Sequence, residues 1–294
     1  MKESVPRSAF AVRWGGATHP GRHRAENEDS FLATPPVFLV ADGMGGHLRG
    51  KEASAEVTGA FEQVSRDEWF TVEALDEATS SAFERVGPLA DVAHDAPGST
   101  VSGVGMTLHG GLPAWLVFNI GDSRTYLMQG GKLEQVTVDH SQVQELIDSG
   151  VPEETARKRV HRNVITRAIG GGMRTRPRAD QWLLPARPGD RILICSDGLS
   201  EELTSQVMCR ILTSFANADD AAQSLVAAAV GAGGRDNVTA VVVDAVSVDG
   251  ETTRRTTDDD TVRLSAAVVD PTVPDLPVSA SRVVGAPISP EGIA

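Results

Sequence analysis

The sequence predicts an α+β domain with an antiparallel sheet core, and two observations predict it. From Ala9 to about Val246, short apolar runs and amphipathic segments alternate without a long linker. Gly110-Gly111 and Gly130-Gly131 each join two short β-prone runs, and double glycine in that position is typical of a hairpin. Strand meanders with helix pairs inserted between them indicate α+β.

The individual elements follow from hydrophobic spacing. Ala53, Val57 and Phe61 recur at the interval of a helix face, whereas Val37 to Val40 form a continuous apolar run typical of a buried strand. The same reasoning predicts strands over 10–14, 30–32, 37–41, 105–109, 114–120, 124–129, 132–136, 191–195 and 238–243. It predicts helices over 51–64, 72–86, 142–149, 153–160, 206–215 and 221–230.

The composition changes beyond Val248. Residues 249–294 contain five prolines and no aromatic residue, so this segment cannot bury enough apolar surface to offset its ordering entropy. We therefore expect one domain over 1–248 and a disordered tail rich in Thr, Asp and Pro over 249–294.

The charge and hydropathy narrow the choice of partners. The formal net charge of −13 argues against nucleic acid, which requires a basic surface. No apolar run approaches the roughly 20 residues that span a bilayer, so no membrane partner is expected. The N-terminal residues lack the apolar core of a secretory signal. These observations predict a cytoplasmic protein.

Carboxylates recur at the ends of the apolar strands. The run Val37 to Ala41 leads into Asp42 and Gly43, and one such Asp-Gly pair is most often only a turn. The arrangement is repeated, however, by Asp122 after 114–120, Asp197 after 191–195, Asp236 before 238–243, and Glu28 and Asp29 before 30–32. Buried carboxylates repel one another unless a cation or partner compensates them.

The available ligands select a hard divalent cation. Oxygen ligands without clustered cysteine or histidine favour Mg²⁺, Mn²⁺ or Ca²⁺ over zinc. The two cysteines, Cys195 and Cys209, lack zinc-site spacing and begin no C-x₅-R phosphatase loop. The sequence also contains no G-x-S-x-G elbow, P-loop or H-E-x-x-H motif, which excludes the chemistries that those motifs perform.

Five short motifs occur in a fixed order along the chain. They are Arg24-x-x-Asn27-Glu28-Asp29, Asp42-Gly43-Met44-Gly45-Gly46-His47, Gly121-Asp122-Ser123-Arg124, Ser196-Asp197-Gly198-Leu199 and Arg235-Asp236-Asn237-Val238-Thr239. Together they resemble the bacterial form of the metal-dependent serine/threonine protein phosphatases, the PPM or type 2C family. The resemblance covers about 10–243. It implies a β-sandwich of two antiparallel sheets flanked by helix pairs.

The resemblance also implies which residues hold two Mn²⁺ or Mg²⁺ ions. Asp42 would bridge the two ions, with the Gly43 carbonyl on the second. Asp197 and Asp236 would complete the shell of the first ion.

The remaining motif residues have implied roles around these two ions. Glu28 and Asp29 would act on the second ion or its waters, and Asp122 would contribute to a weaker third ion site. Arg24 would hold the substrate phosphate, because a guanidinium matches two phosphate oxygens. Two close divalent ions activate water for in-line attack on phosphorus.

One position departs from the animal members of the family. Met44 stands where they carry a histidine proposed to protonate the leaving group, so the general acid is unassigned. A metal-bound water is one candidate, and His47 is another, unless His47 only orients a loop neighbour. His161 is a further candidate.

The segment 141–162, which we call the flap segment, occupies the place of the family's mobile flap. It contains Arg157, Lys158, Arg159, His161 and Arg162. Such a charge run is usually a solvated helix face. The alternative is a lid that selects phosphopeptides by charge.

The sequence thus predicts an enzyme that hydrolyses phosphoserine and phosphothreonine on proteins, opposing a cognate protein kinase. The alternative from another class is a catalytically silent phosphoprotein-binding adaptor on the same fold. Fold alone does not decide between them, but a silent relative would be expected to have lost metal ligands, and none is missing. A narrower alternative is a phosphatase for a phosphorylated regulator of a transcription factor.

Overall fold

The computed structural model describes residues 10–45, 49–65, 67–90, 96–160 and 164–248, together with the backbone of 2–3 and 262–264. These residues form two antiparallel sheets packed face to face, with a helix pair on each outer face. The predicted α+β class and the β-sandwich are both confirmed.

The described residues contain fourteen strands, divided between two sheets. They are β1 Lys2–Glu3, β2 Phe10–His19, β3 Asp29–Thr34, β4 Val37–Met44, β5 Gly98–Ser99, β6 Val101–His109, β7 Leu112–Ile120, β8 Arg124–Gln129, β9 Lys132–Gln135, β10 Ile169–Gly170, β11 Asp180–Pro185, β12 Arg191–Cys195, β13 Val238–Val248 and β14 Val262–Leu264. The first sheet has the order β1-β2-β13-β12-β8-β9. The second has the order β10-β5-β4-β6-β7-β11-β14, with β3 paired to β4.

Seven α-helices lie in the described part of the chain. They are α1 Arg49–Val64, α2 Val72–Val86, α3 Gln142–Asp148, α4 Glu153–Arg159, α5 Asp197–Ser200, α6 Ser205–Ser214 and α7 Ala218–Ala232. Side-chain caps start several of them: Thr71, Thr204 and Asn217 each accept a backbone N–H from the first turn that follows. Such caps satisfy amides that have no partner inside the helix. None of these helices is long and apolar enough to cross a membrane.

Apolar side chains fill three layers between these elements. Phe38 and Val40 from the second sheet pack with Ile194 and Val241 from the first, so the central layer lies between the sheets. On one outer face, Phe61 of α1 stacks on a strand phenylalanine with ring centroids 5.3 Å apart. Helices α6 and α7 cover the other outer face.

Every predicted element is present, with boundaries that shift by a few residues. Strand β4 does not stop at Ala41, because Gly43 and Met44 pair with Ser99 and Gly98 of β5. Asp42 therefore lies inside a strand, where its position is fixed on both sides. The prediction missed the short β5, β10 and α5. It also missed β11, which is hydrogen-bonded to β7.

Two connections matter for the site and the tail. The turn Gly121–Asp122 joins β7 in the second sheet to β8 in the first, so it crosses between the layers. In the predicted tail, Val262–Leu264 pairs with β11. The rest of the tail lies outside the described residues, and its disorder stays a prediction.

Candidate metal centre

The antiparallel register of β3 and β4 sets two of the predicted acidic residues side by side. Asp29 lies directly opposite Asp42. The backbone around Asp42 is held by Thr100, whose Oγ1 accepts the Asp42 N–H at 3.0 Å and whose own N–H donates to the Asp42 carbonyl at 2.9 Å. Both carboxylates are thus attached to fixed backbone.

Only one oxygen of Asp29 is satisfied. Its Oδ2 accepts hydrogen bonds from Ser196 Oγ at 2.8 Å and from Thr239 Oγ1 at 2.6 Å. The buried Oδ1 receives no hydrogen bond within the described part of the chain. Burial raises the pKa of Asp29 to about 6, although the bonds from Thr239 and Ser196 act to lower it. A buried oxygen without a donor is suited to a cation.

Three further aspartates lie within electrostatic reach of this pair. Withdrawal from water, followed by the charges of Asp29 and Asp197, raises the pKa of Asp42 well above its ordinary value. Burial and the charge of Asp122 raise the pKa of Asp197 in the same way. The pKa of Asp122 rises to about 7, first through burial. We call Asp29, Asp42, Asp122, Asp197 and Asp236 the acidic centre. Raised pKa values such as those of Asp29, Asp42, Asp122 and Asp197 are typical of functional sites.

Asp236 completes the acidic centre and is paired with the predicted phosphate ligand. Its Oδ2 lies 2.7 Å from Nη2 of Arg24, and the Arg24 side chain is 51% exposed. The hydrogen bond to Asp236 raises the pKa of Arg24. An exposed guanidinium therefore stands at the rim of the buried carboxylates.

Asn237, which the sequence reasoning did not single out, ties the loops of the site together. Its Oδ1 accepts the Glu28 N–H at 2.8 Å. Its Nδ2 donates to the carbonyl oxygens of Glu26 at 2.8 Å and Pro20 at 3.0 Å. The only sequence signal for Asn237 is its place beside Asp236 in a motif, as is also true of Ser196 beside Asp197.

Gly43 and Glu28 pack against the start of α1. The Gly43 N–H donates to the Glu28 carbonyl at 3.2 Å, and a Cβ on Gly43 would lie 2.0 Å from the carbonyl oxygen of Gly50. Burial raises the pKa of Glu28, while Arg24 opposes that shift. The first turn of a helix favours a carboxylate. Glycine is required at position 43 because no side chain fits.

A groove of about 640 Å³ adjoins the acidic centre. Its lining runs from Asp122 and Asp197 to Gln144 of α3 and Arg157 of α4. The described part of the flap segment therefore forms one wall of the approach to the centre. The candidates His47 and His161 lie outside the described residues.

The donor set fits a hard divalent cation. It consists of half-buried and buried carboxylates with uncompensated charge and one unsatisfied oxygen on Asp29, and such ligands match Mg²⁺ or Mn²⁺. In the described residues no group of three or more acidic, histidine or cysteine side chains is already arranged around a common point. Asp236 is held in its ion pair with Arg24 in this arrangement.

Comparison with known proteins identifies related chains. The family profile of protein phosphatase 2C matches residues 22–230. The serine/threonine phosphatase stp of Listeria monocytogenes is 31% identical over 242 residues, which cover 77% of this chain and 93% of that protein. The serine/threonine protein phosphatase PstP of Mycobacterium tuberculosis is 35% identical over 250 residues, 83% of this chain. The matched region spans only 47% of PstP, about half its length.

Solved structures agree with these matches. A crystal structure of PstP from Mycobacterium tuberculosis superposes with a TM-score of 0.72 at 32% identity, covering 80% of this chain and 99% of that one. The catalytic domain of PstP in complex with two manganese ions gives a TM-score of 0.69 at 33% identity, covering 81% and 100%.

Proposed function

The chain belongs to the protein phosphatase 2C family, and from that premise we propose that it hydrolyses phosphoserine and phosphothreonine on proteins. The observation that carries the proposal is the acidic centre. Its carboxylates come from different strands and turns, and burial together with the charges of neighbouring aspartates raises the pKa values of Asp42 and Asp197. This arrangement costs stability unless a cation is bound, so its presence indicates a function.

We propose that the acidic centre holds two Mn²⁺ or Mg²⁺ ions, with Asp42 between them, Asp197 and Asp236 on the first ion, and the Gly43 carbonyl on the second. Glu28 and Asp29 act on the second ion or its waters, and Asp122 contributes to a weaker third site. When bound, such ions lower the pKa of water and offset the charge of the phosphoryl group.

Arg24 supplies the phosphate contact in this proposal. In the described residues only its Nη2 is engaged, by Asp236, which leaves Nε and Nη1 for phosphate oxygens. When Asp236 turns to an ion, the whole guanidinium becomes available as a bidentate donor. The same exchange would thus prepare both the metal site and the phosphate site.

Ser196, Thr239 and Asn237 keep this geometry in place. The two hydroxyls fix Asp29 through one oxygen and leave the other oxygen without a hydrogen bond among the described residues. Asn237 anchors the loop that carries Arg24 and Glu28. Preorganised groups of this kind lower the barrier because they need no rearrangement during the reaction.

The proposal extends to the surroundings of the reaction. A serine/threonine protein kinase would produce the substrate, and both would act in the cytoplasm. Residues 1–248 would carry the activity, and the tail 249–294 would lie outside it. A chain that ends at Val248 should then keep its activity towards a phosphothreonine peptide.

The first experiment measures hydrolysis of a phosphothreonine peptide with Mn²⁺, with chelator, and with Asp42→Asn or Asp236→Ala. We expect activity that requires metal and falls by about a thousandfold or more in either variant, since both metal ligation and charge are lost. Asp220→Asn is the matched control, because Asp220 is exposed on α7 away from the centre. Folded, Mn²⁺-loaded wild-type protein that is inert towards phosphopeptides and aryl phosphates would favour the adaptor instead.

A further inference from the structure

The turn that carries Asp122 is unusual in both conformation and packing. Gly121 has φ +105°, and a Cβ there would lie 2.6 Å from the side chain of Thr100. The turn crosses from one sheet to the other, so neither sheet alone supplies its hydrogen bonds. Some other group must hold the backbone that precedes Asp122.

His140 holds that backbone through both of its polar groups. The Nδ1 atom of the buried imidazole accepts the Gly121 N–H at 3.0 Å. The His140 N–H in turn donates to the Gly121 carbonyl at 2.9 Å. His140 thus accepts the N–H of the peptide group before Gly121 and donates to the carbonyl of the peptide group after it.

A second contact orients the imidazole. Because Nδ1 accepts a hydrogen bond, the ring hydrogen of neutral His140 sits on Nε2. Nε2 lies 3.5 Å from Asp180 Oδ2, and Asp180 Oδ1 lies 2.6 Å from Arg167 Nη1. At 3.5 Å this contact is long for a hydrogen bond, and Nε2 has no shorter one among the described residues.

The other end of the turn is held independently. Arg124 contacts both carboxylate oxygens of Asp139, with Nη2 2.6 Å from Oδ2 and Nε 2.9 Å from Oδ1. Asp139 precedes His140, so two adjacent residues clamp the turn on either side of Asp122. Asn119 Nδ2 also donates to the Gly121 carbonyl, at 2.9 Å, whereas the side-chain acceptor for the Gly121 N–H is the His140 imidazole.

We propose that His140 is a positioning residue that sets the Gly121–Asp122 turn and thereby the affinity of the cation that Asp122 binds. The proposal rests on the metal centre of the proposed function, but it does not require that the protein hydrolyse phosphate. Groups that do not touch the metal but fix the orientation of its ligands typically contribute 10–100-fold to metal affinity.

Three substitutions separate this role from general packing. Asn places Oδ1 near the position of histidine Nδ1, so His140→Asn keeps an acceptor for the Gly121 N–H. His140→Gln places its amide nearer to Nε2 and Asp180, and His140→Ala removes both contacts. Asp122→Asn identifies which Mn²⁺ equivalent depends on Asp122.

The test is calorimetric titration with Mn²⁺, together with hydrogen exchange at the Gly121 amide in the metal-free protein. We expect the Asp122-dependent equivalent to bind about tenfold more weakly in His140→Ala and His140→Gln, and within about twofold of wild type in His140→Asn. The Gly121 amide should exchange fast in His140→Ala and His140→Gln, and slowly in His140→Asn.

Several results would overturn the proposal. One is His140→Asn being as impaired in Mn²⁺ binding as His140→Ala, and another is all three variants binding Mn²⁺ like the wild type. A wild-type protein without any Asp122-dependent equivalent would do the same. If His140→Ala does not fold, the comparison of the Asn and Gln variants decides. Mn²⁺ binding that follows the expected pattern in a protein without phosphatase activity would refute only the proposed function.

Discussion

The acidic centre and the flap segment both concentrate charged side chains, but they compensate that charge in opposite ways. In the flap segment, Arg157 Nη2 lies 2.8 Å from Glu153 Oε1, and Lys158 Nζ lies 2.7 Å from Glu154 Oε1, each pair one helical turn apart. In the acidic centre, like charges face each other and raise the pKa of Asp42. Exposed pairs of opposite charge contribute little, whereas uncompensated carboxylates indicate a ligand.

The difference teaches how a charge run should be interpreted. The basic residues of α4 are balanced by acidic residues of the same helix, which is the pattern of a solvated face. This favours the solvated face over the charge-selecting lid for 153–159. The carboxylates of the centre have no such partners on their own strands, so their charge is offset by Arg24 at Asp236, by protons or by a bound cation.

Among substitutions that leave the carboxylates in place, the largest effect is expected where backbone packs most closely against the centre. A Cβ in Gly43→Ala would lie 2.0 Å from the Gly50 carbonyl oxygen and 2.6 Å from that of Glu28, so β4 or the start of α1 must move. We expect a loss of roughly 2–3 kcal/mol in the free energy of unfolding and a loss of activity of about a hundredfold, because small misplacements of reacting groups cost that much. Urea denaturation and kcat/KM measure the two quantities.

Gly150 in the flap segment is the matched control. It has φ +91°, but a Cβ there meets nothing within 4 Å. Gly150→Ala should therefore cost only the backbone strain of roughly 1–2 kcal/mol, with activity nearly unchanged. Equal losses of activity in the two variants would contradict the contrast between the regions.

An intermediate effect is expected for the pH dependence of the free energy of unfolding of the metal-free protein. The folded pKa values of Asp29, about 6, and Asp122, about 7, both lie above the ordinary value of 3.8. The folded state therefore binds these protons more tightly than the unfolded state, so stability falls as pH rises from about 4 to about 7. In chelator, Tm should be higher near pH 5.5 than near pH 8, by roughly 3–8 °C.

Excess Mn²⁺ should remove or reverse this trend, because the cation and the protons compete for the same carboxylates. Asp180 does not interfere. Burial acts to raise its pKa, but His140 and Arg167 lower it below 3.8, so its contribution is lost only at lower pH. Thermal scans from about pH 8 to 5.5, with Asp29→Asn as the comparison, measure the effect. A chelated wild type whose Tm falls steadily as pH drops would refute the expectation.

Much of the fold and of the candidate site could be predicted, because the apolar runs, helical spacings and motifs that indicate them lie within short stretches of the sequence. The apolar run before Asp42 predicted a strand that ends near a ligand, and helical spacing predicted α1 and α2 almost to the residue. The two-residue strand β10 and the four-residue α5 are too short to produce any periodicity. Strand β11, Asp180–Pro185, was missed because its six residues do not alternate between apolar and polar side chains.

The contacts between motifs could not be predicted from spacing alone. Ser196 and Thr239 bind Asp29 across 167 and 210 residues of sequence, and Arg24 meets Asp236 across 212. Such pairings depend on how the two sheets align. His140 shows the same limit, since its contact with Gly121 is defined only once β7 and β8 lie in different sheets.

The smallest effect is expected from the charges of the flap segment. Arg157→Ala/Lys158→Ala removes two cations and leaves Glu153 and Glu154 unpaired, but all four side chains lie on an exposed helix face, where solvent and salt screen the added negative charge. Removing the two pairs should lower the free energy of unfolding by about 0.5–1 kcal/mol, and kcat/KM for a phosphopeptide by less than about twofold. An aryl phosphate serves as the control substrate, because it lacks the peptide that a charge-selecting lid would contact. If the double variant changed preference among phosphopeptides while aryl phosphate turnover stayed constant, the flap segment would act as a charge-selecting lid despite its internal pairing. The ion pairs of α4 would then have to open for the substrate, and the contrast with the acidic centre would be one of degree.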